Sequence, residues 1–285
     1  MKYSVFTVGT PDYTIEETVK KLKQYGYDAV EWRVANSLKE EPKELPPREG
    51  WYWSYNKSTV DVDSIVDNAS YIKDICGKEG IEICALATYL SPWETEKIEE
   101  VLKAAVIMNC PKIRTSMPGY NKNTNYNELF DNTVKAYKEI EILAKKYGVK
   151  VNAEIHHGTI IPSASAAYRF ASNFDSKFIG VIYDPGNMVH EGFEQYKMGL
   201  ELLGDYLDHV HLKNAAWKFD GTWSCNWSPI KEGQVNMLEV LTALKSIGYE
   251  GFLSFEDFSN KETTEEKLRG NIEYIKGLEQ RVEEV

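Results

Sequence analysis

Short apolar or β-branched runs alternate with longer stretches whose apolar residues fall three and four apart, from one end of the chain to the other. The short runs lie near Tyr3–Val8, Asp28–Trp32, Ile81–Ala87, Lys112–Ser116, Lys150–Ile155, Phe178–Tyr183, His209–Lys213 and Gly251–Glu256, and they predict strands. The longer ones, such as Ile15 to Leu22 and Val134 to Tyr147, predict amphipathic helices. Several helical patterns run into a glycine just before the next strand, at Gly26, Gly80, Gly148 and Gly248. A left-handed glycine there stops the helix and turns the chain back. Alternating β and α elements imply a parallel sheet, and about eight such strands in 285 residues fit a closed (β/α)8 TIM barrel of the α/β class. An open dinucleotide-binding sheet fits less well, because Val8-Gly9-Thr10-Pro11 after the first strand lacks the glycine spacing of that fingerprint. With no Gly/Ser/Pro-rich linker anywhere, one domain over 1–285 is expected.

Two connections, Arg33 to Asp61 and Asn214 to Gly233, are longer than a barrel needs, and both follow strands. They therefore fall on the face where barrel enzymes place their chemistry. All seven tryptophans, Trp32, Trp51, Trp53, Trp93, Trp217, Trp223 and Trp227, lie at strand ends or in the loops just beyond, which predicts an aromatic mouth. Such a mouth serves equally as loop packing or as a sugar-stacking wall.

The net charge of −11 disfavours nucleic acid, which is bound largely through Lys and Arg against phosphates. Cys76, Cys84, Cys110 and Cys225 are scattered, which suits neither a disulfide framework nor a thiolate metal cluster and points to a reducing compartment. The first apolar run is too short for a signal peptide, and no stretch approaches membrane-spanning length. A soluble cytoplasmic protein is the expectation, with neither membrane nor nucleic acid as partner and with a homo-oligomer left open.

Side chains two apart on a strand share a face, so Asn152, Glu154 and His156 are expected in the barrel lumen, as are His209, His211 and Lys213. Asp184 and Glu256 close their strands on the same inner face. Four consecutive strands thus each end in a group able to ligate a metal. Burying several carboxylates together without compensation is costly, and a cation is the simplest remedy. Three carboxylates and one imidazole, Glu154, Asp184, Glu256 and His211, favour one hard divalent ion, Mn²⁺ first, then Mg²⁺ or Co²⁺, with Zn²⁺ also compatible.

The segments Ala153-Glu154-Ile155-His156, Tyr183-Asp184-Pro185-Gly186-Asn187, His209-Val210-His211-Leu212-Lys213-Asn214 and Ser254-Phe255-Glu256-Asp257-Phe258 resemble the hallmarks of the sugar phosphate isomerase/epimerase superfamily, the xylose-isomerase-like barrels. The resemblance extends over nearly the whole chain, including Gly26 to Glu31 and Gly248 to Gly251. It implies a metal on Glu154, Asp184, His211 and Glu256, with Glu154 and Glu256 trading a proton on carbon through an enediolate of a ketose or related polyhydroxy carbonyl compound. In the dehydratases of that superfamily a histidine two residues beyond the strand-five glutamate is the base, so His156 keeps a lyase reading open beside a carboxylate-bonded role. His209 reads as a core or supporting residue, His157 as facing away, and His190 carries little signal. Expected substrate contacts are Lys213, Arg114, Trp223 and Glu31, while Arg33 reads equally as an anion contact or a partner of Glu31. The absence of glycine in Phe258-Ser259-Asn260-Lys261-Glu262 favours an unphosphorylated substrate. Three other readings stand behind the isomerase or epimerase: an inosose or dehydroshikimate dehydratase, a non-catalytic sugar-binding barrel and an AP endonuclease. The last is disfavoured by acidic charge and by Asn187, where those enzymes carry a histidine.

Overall fold

The computed structural model describes residues 1–38, 40, 42 and 44–283. Eight strands form the barrel: β1 Lys2–Phe6, β2 Ala29–Ala35, β3 Glu82–Thr88, β4 Lys112–Thr115, β5 Lys150–Glu154, β6 Ile179–Tyr183, β7 Leu207–Leu212 and β8 Phe252–Phe255. Each pairs in parallel with the next, and β1 pairs with both β2 and β8, so the sheet closes on itself. The structure is a single (β/α)8 barrel, as the alternation of patterns predicts.

Helices cross between successive strands: Ile15–Tyr25, Ile65–Glu79, Thr95–Met108, Tyr126–Tyr147, Ala164–Ala171, Tyr196–Leu203 and Met237–Ser246, with Thr264–Glu283 following β8. The first begins at a capping box, in which the Thr14 hydroxyl accepts from the Glu17 amide while the Glu17 carboxylate accepts from the Thr14 amide. Gly26, Gly80, Gly148 and Gly248 all adopt positive φ, between 65° and 78°, at the turn into the next strand. Asn109 does the same at φ 56° after the helix Thr95–Met108, a position where the sequence offers no glycine. The outward faces of the strands and the inward faces of the helices form one continuous apolar layer, in which Trp32, Leu86, Ile113, Val151, Val210 and Leu253 are buried. Burying a large aliphatic or aromatic side chain there contributes about 1.5–3 kcal/mol.

Both long connections carry structure of their own. The first contains the helix Arg48–Ser54 and a short strand, Val60–Asp61, beside β2, while positions 39, 41 and 43 of it lie outside the described residues. The second is an antiparallel hairpin, Asn214–Phe219 against Trp223–Ser228. Asn214 fastens its base, since its Nδ2 donates to the carbonyls of Ile230 and Val235 and its Oδ1 accepts from the Val235 amide.

At the strand-entry end of the lumen, Asp208 lies between Lys112 (2.9 Å) and Lys150 (3.0 Å) and accepts from Asn152 Nδ2. This polar plug closes the end remote from the mouth. Among the described residues, no helix is long and apolar enough to cross a membrane.

Candidate metal and active site

β5 to β8 deliver Glu154, Asp184, His211 and Glu256 to one place at the strand-exit end of the barrel. Each is buried, and one ligand atom from each lies within 4.8 Å of the others. His211 Nδ1 is 3.1 Å from Glu154 Oε1, 3.7 Å from Glu256 Oε2 and 3.8 Å from Asp184 Oδ2. Its Nε2 lies 3.1 Å from both Glu31 carboxylate oxygens. With Nε2–H donated to Glu31, Nδ1 presents a lone pair toward the three carboxylates, which is how a supporting carboxylate orients a ligating imidazole. The donor set, three carboxylates and one imidazole, and its spacing fit a divalent cation.

Asn187 ties the ring together. Its Nδ2 donates to Asp184 Oδ2 (2.7 Å), the Ile155 carbonyl (3.1 Å) and Glu154 Oε1 (3.4 Å), and its Oδ1 faces His157 Nδ1 (3.0 Å) and Lys213 Nζ (3.3 Å). Asp184 in turn caps the helix Pro185–His190, its Oδ1 accepting from the Asn187 amide at 2.8 Å. Gly186 is needed at this corner, because a Cβ there would lie 2.7 Å from the Lys213 carbonyl group.

The two glutamates are held in opposite directions. Burial pushes the Glu154 carboxyl up, but the Arg114 guanidinium and His211 outweigh it and hold Glu154 well below the usual range. At Glu256 burial prevails, aided by Glu154 and Asp184, over the opposing pull of Lys213 and His211, and the carboxyl is raised. Lys213 Nζ lies 3.1 Å from Asp184 Oδ2 and also contacts Glu256, and its ammonium sits over the Trp227 and Phe258 rings.

A cavity of about 500 Å³ opens above this ring. Its wall includes Glu154, Glu256, His156, Arg114 and Lys213, with Trp53, Tyr89, Trp227 and Phe258 as aromatic lining. Two expected substrate contacts lie elsewhere. Glu31 is fully buried and spent on His209, His211 and the Ser254 hydroxyl (2.6 Å), so it supports the ring from beneath. Trp223 is 67% exposed at the outer end of the hairpin against Phe219, and the indole that this loop brings to the cavity is Trp227. Arg33 does not pair with Glu31. Its guanidinium contacts the Thr59 hydroxyl and donates to the Trp53 carbonyl. Trp32 is packed in the helix–sheet layer.

His157, expected to face away, lines the cavity. It stacks on His156 (ring centroids 4.5 Å apart) and on His190 (4.3 Å), which leans on Trp227. Burial, with His157 second, lowers the His190 imidazole to about 4. The folded value is below the unfolded one, so the unfolded chain takes up the proton first. Stability from the neutral ring is present above about pH 6.5 and is lost as pH falls from there toward 4. Thermal melts between pH 7 and 4.5 should show this loss, and His190→Phe should make the curve shallower; an unchanged curve would remove His190 as the cause.

A family model described as xylose isomerase-like TIM barrel matches residues 19–278. The chain belongs to this family. An uncharacterised protein of Methanocaldococcus jannaschii is 22% identical over 274 residues, 94% of this chain and 87% of its own. Among solved structures, the IOLI protein with a bound zinc atom aligns at TM-score 0.73 with 16% identity over 99% of each chain. A probable 3-DHS dehydratase from Bacillus anthracis and the 3-keto-D-glucoside 4-epimerase of E. coli each align at TM-score 0.72 with 16% identity, over 97% of this chain and 99% of theirs. At such identities these structures establish the shared fold alone, one that an epimerase and a probable dehydratase both have.

Proposed function

We propose that this chain is a divalent-metal-dependent isomerase or epimerase that moves a proton on the carbon beside a carbonyl in a ketose or related polyhydroxy compound. The observation that carries this reading is the pair of glutamates facing one cavity with their proton affinities pushed apart, Glu154 down and Glu256 up. Such a split is what acid and base partners need in order to work together near neutrality. Glu154, held as a carboxylate by Arg114, accepts the proton from carbon. Glu256, whose proton affinity burial raises, returns one from the other side of the ring. Lys213 and Arg114 fix the substrate's oxygens, Trp53 and Trp227 cover its apolar faces, and Asn187 and Glu31 keep the ligand side chains in place.

Glu154, Asp184, His211 and Glu256 would hold the metal, Mn²⁺ in preference to Mg²⁺, Co²⁺ or Zn²⁺. When bound, it supplies Lewis acidity to a carbonyl oxygen and a neighbouring hydroxyl, easing loss of the proton between them.

A second reading, a dehydratase, is favoured by His156, which lines the cavity and whose imidazole burial keeps below its ordinary pKa, hence neutral and able to accept a proton. Turnover in deuterated water separates the two. Proton transfer yields a product of unchanged skeleton carrying solvent deuterium at the reacting carbon, whereas elimination yields a product lighter by one water. A dehydrated product rules out the isomerase reading.

A further inference from the structure

Among the described residues, every buried cation near the ligand ring has a carboxylate partner except one. Arg114 pairs with Glu154, and Lys213 with Asp184 and Glu256. Arg33 is 6% exposed, yet among the described residues its guanidinium meets the Thr59 hydroxyl, the Trp53 carbonyl and Tyr89, at its hydroxyl and at its ring, whose centroid is 5.2 Å away, and no carboxylate. Its Nε is buried with no hydrogen-bond partner. The same Tyr89 ring has the Arg114 guanidinium 4.9 Å from its centroid. Two guanidiniums therefore converge on one phenol, and among the described residues only Arg114 has a counter-ion. A buried charge left unpaired is costly and persists where something else compensates it.

Tyr89 and Trp53 are both cavity wall, so Arg33 stands one layer behind it. Apart from Glu154 and Glu256, that wall contains no carboxylate among the described residues, whereas Arg114 and Lys213 both belong to it. In a cavity of low dielectric, the charge of a guanidinium that has no carboxylate beside it is felt across one layer of side chains.

We propose that the substrate of this site carries a carboxylate, seated at the Trp53–Tyr89 end of the cavity, where the fields of Arg33 and Arg114 overlap. The proposal rests on the isomerase or epimerase reading and narrows it from hydroxylated carbonyl compounds in general to sugar acids bearing a keto group. The segment Phe258-Ser259-Asn260-Lys261-Glu262 after β8 has no glycine to form a phosphate cradle, which favours a carboxylate over a phosphate. Arg33 is then a positioning residue, setting the potential that Tyr89 and Trp53 transmit to the ligand.

The test is titration calorimetry on the Mn²⁺-loaded protein at fixed ionic strength, with three six-carbon probes: 2-keto-D-gluconate, D-fructose and D-fructose 6-phosphate. The keto acid should bind more tightly than fructose by roughly tenfold or more. Arg33→Met should bring that ratio close to one while fructose affinity and Mn²⁺ stoichiometry stay unchanged, and Arg33→Lys should keep most of it. A general loss of packing would weaken both ligands together. Equal affinities, tighter binding of the phosphate, no binding of the acid, or a ratio that survives Arg33→Met would each overturn the proposal. If Arg33→Met fails to fold, the comparison on the unmodified protein still decides. Failure here is separable from failure of the reaction reading: deuterium incorporation into a neutral ketose without preference for the acid removes the subsite alone. Tight acid binding with no proton exchange during turnover removes the reaction alone.

Discussion

Glu256→Gln is expected to lower kcat by roughly 10²–10⁴-fold, the range of general acid–base catalysis, while substrate affinity and metal content change little. The amide matches the carboxyl in shape, still offers an oxygen to a cation, and still accepts from the Lys213 ammonium that Glu256 contacts. It has no proton to exchange with carbon. Because the raised proton affinity of Glu256 comes first from burial, an unaltered cavity does not restore the function by other means. The control is His156→Ala, which in an isomerase should be the milder change and in a dehydratase the more severe. Steady-state rates with metal analysis of each variant decide the matter; undiminished turnover by Glu256→Gln at full metal content would exclude the residue from proton transfer.

The second large effect is on metal binding and, through it, on stability. The native protein should hold about one divalent ion per chain, and Asp184→Ala should reduce this to near zero. A ligand at a hundredfold excess over its Kd stabilises the state that binds it by about 2.7 kcal/mol. For a domain of this size, that corresponds to roughly 5–10 °C in Tm. Asp184 also caps the helix Pro185–His190, so its removal costs about 1 kcal/mol on that account alone. The informative quantity is therefore the increment in Tm on adding Mn²⁺, which should vanish in the variant whatever its starting value. An increment of the same size in native and variant protein would place the metal somewhere other than this ring.

Strand periodicity made the ring legible. Glu154, His211 and Glu256 fall on the inner face by alternation, and Asp184 closes β6 where the chain turns into a helix. Alternation fails where the strand ends. β5 stops at Glu154, so the faces of His156 and His157 are set by the following turn, and both reach the cavity. Glu31 is a different kind of omission. Its partners His209 and His211 are 178 and 180 residues away in the chain, and β2 shifts register against β3 between Val30 and Glu31. Nothing local marks such a residue as the support of a metal ligand. Trp223 and Trp227 share a face of one hairpin strand, and their place along it separates them: Trp223 pairs with Phe219 at the tip, Trp227 with Ala215 near the base beside the cavity. Asn187, the hub joining two carboxylates to His157 and Lys213, appears in the sequence only as the close of Asp184-Pro185-Gly186-Asn187.

The left-handed caps at Gly26, Gly80, Asn109, Gly148 and Gly248 all sit at the turn into a strand, on the end of the barrel away from Glu154 and Glu256. That end is fixed residue by residue, because each turn depends on one backbone conformation that few side chains tolerate. The other end is under no such rule, and there the chain carries the helix Arg48–Ser54 and the hairpin that brings Trp227 to the cavity. The two rims are thereby separable. Changes in the outlet connections can alter which molecule enters while the scaffold and the ring of Glu154, Asp184, His211 and Glu256 stay in place. A library that varies these two connections is accordingly the direct way to vary the cavity wall without disturbing the barrel.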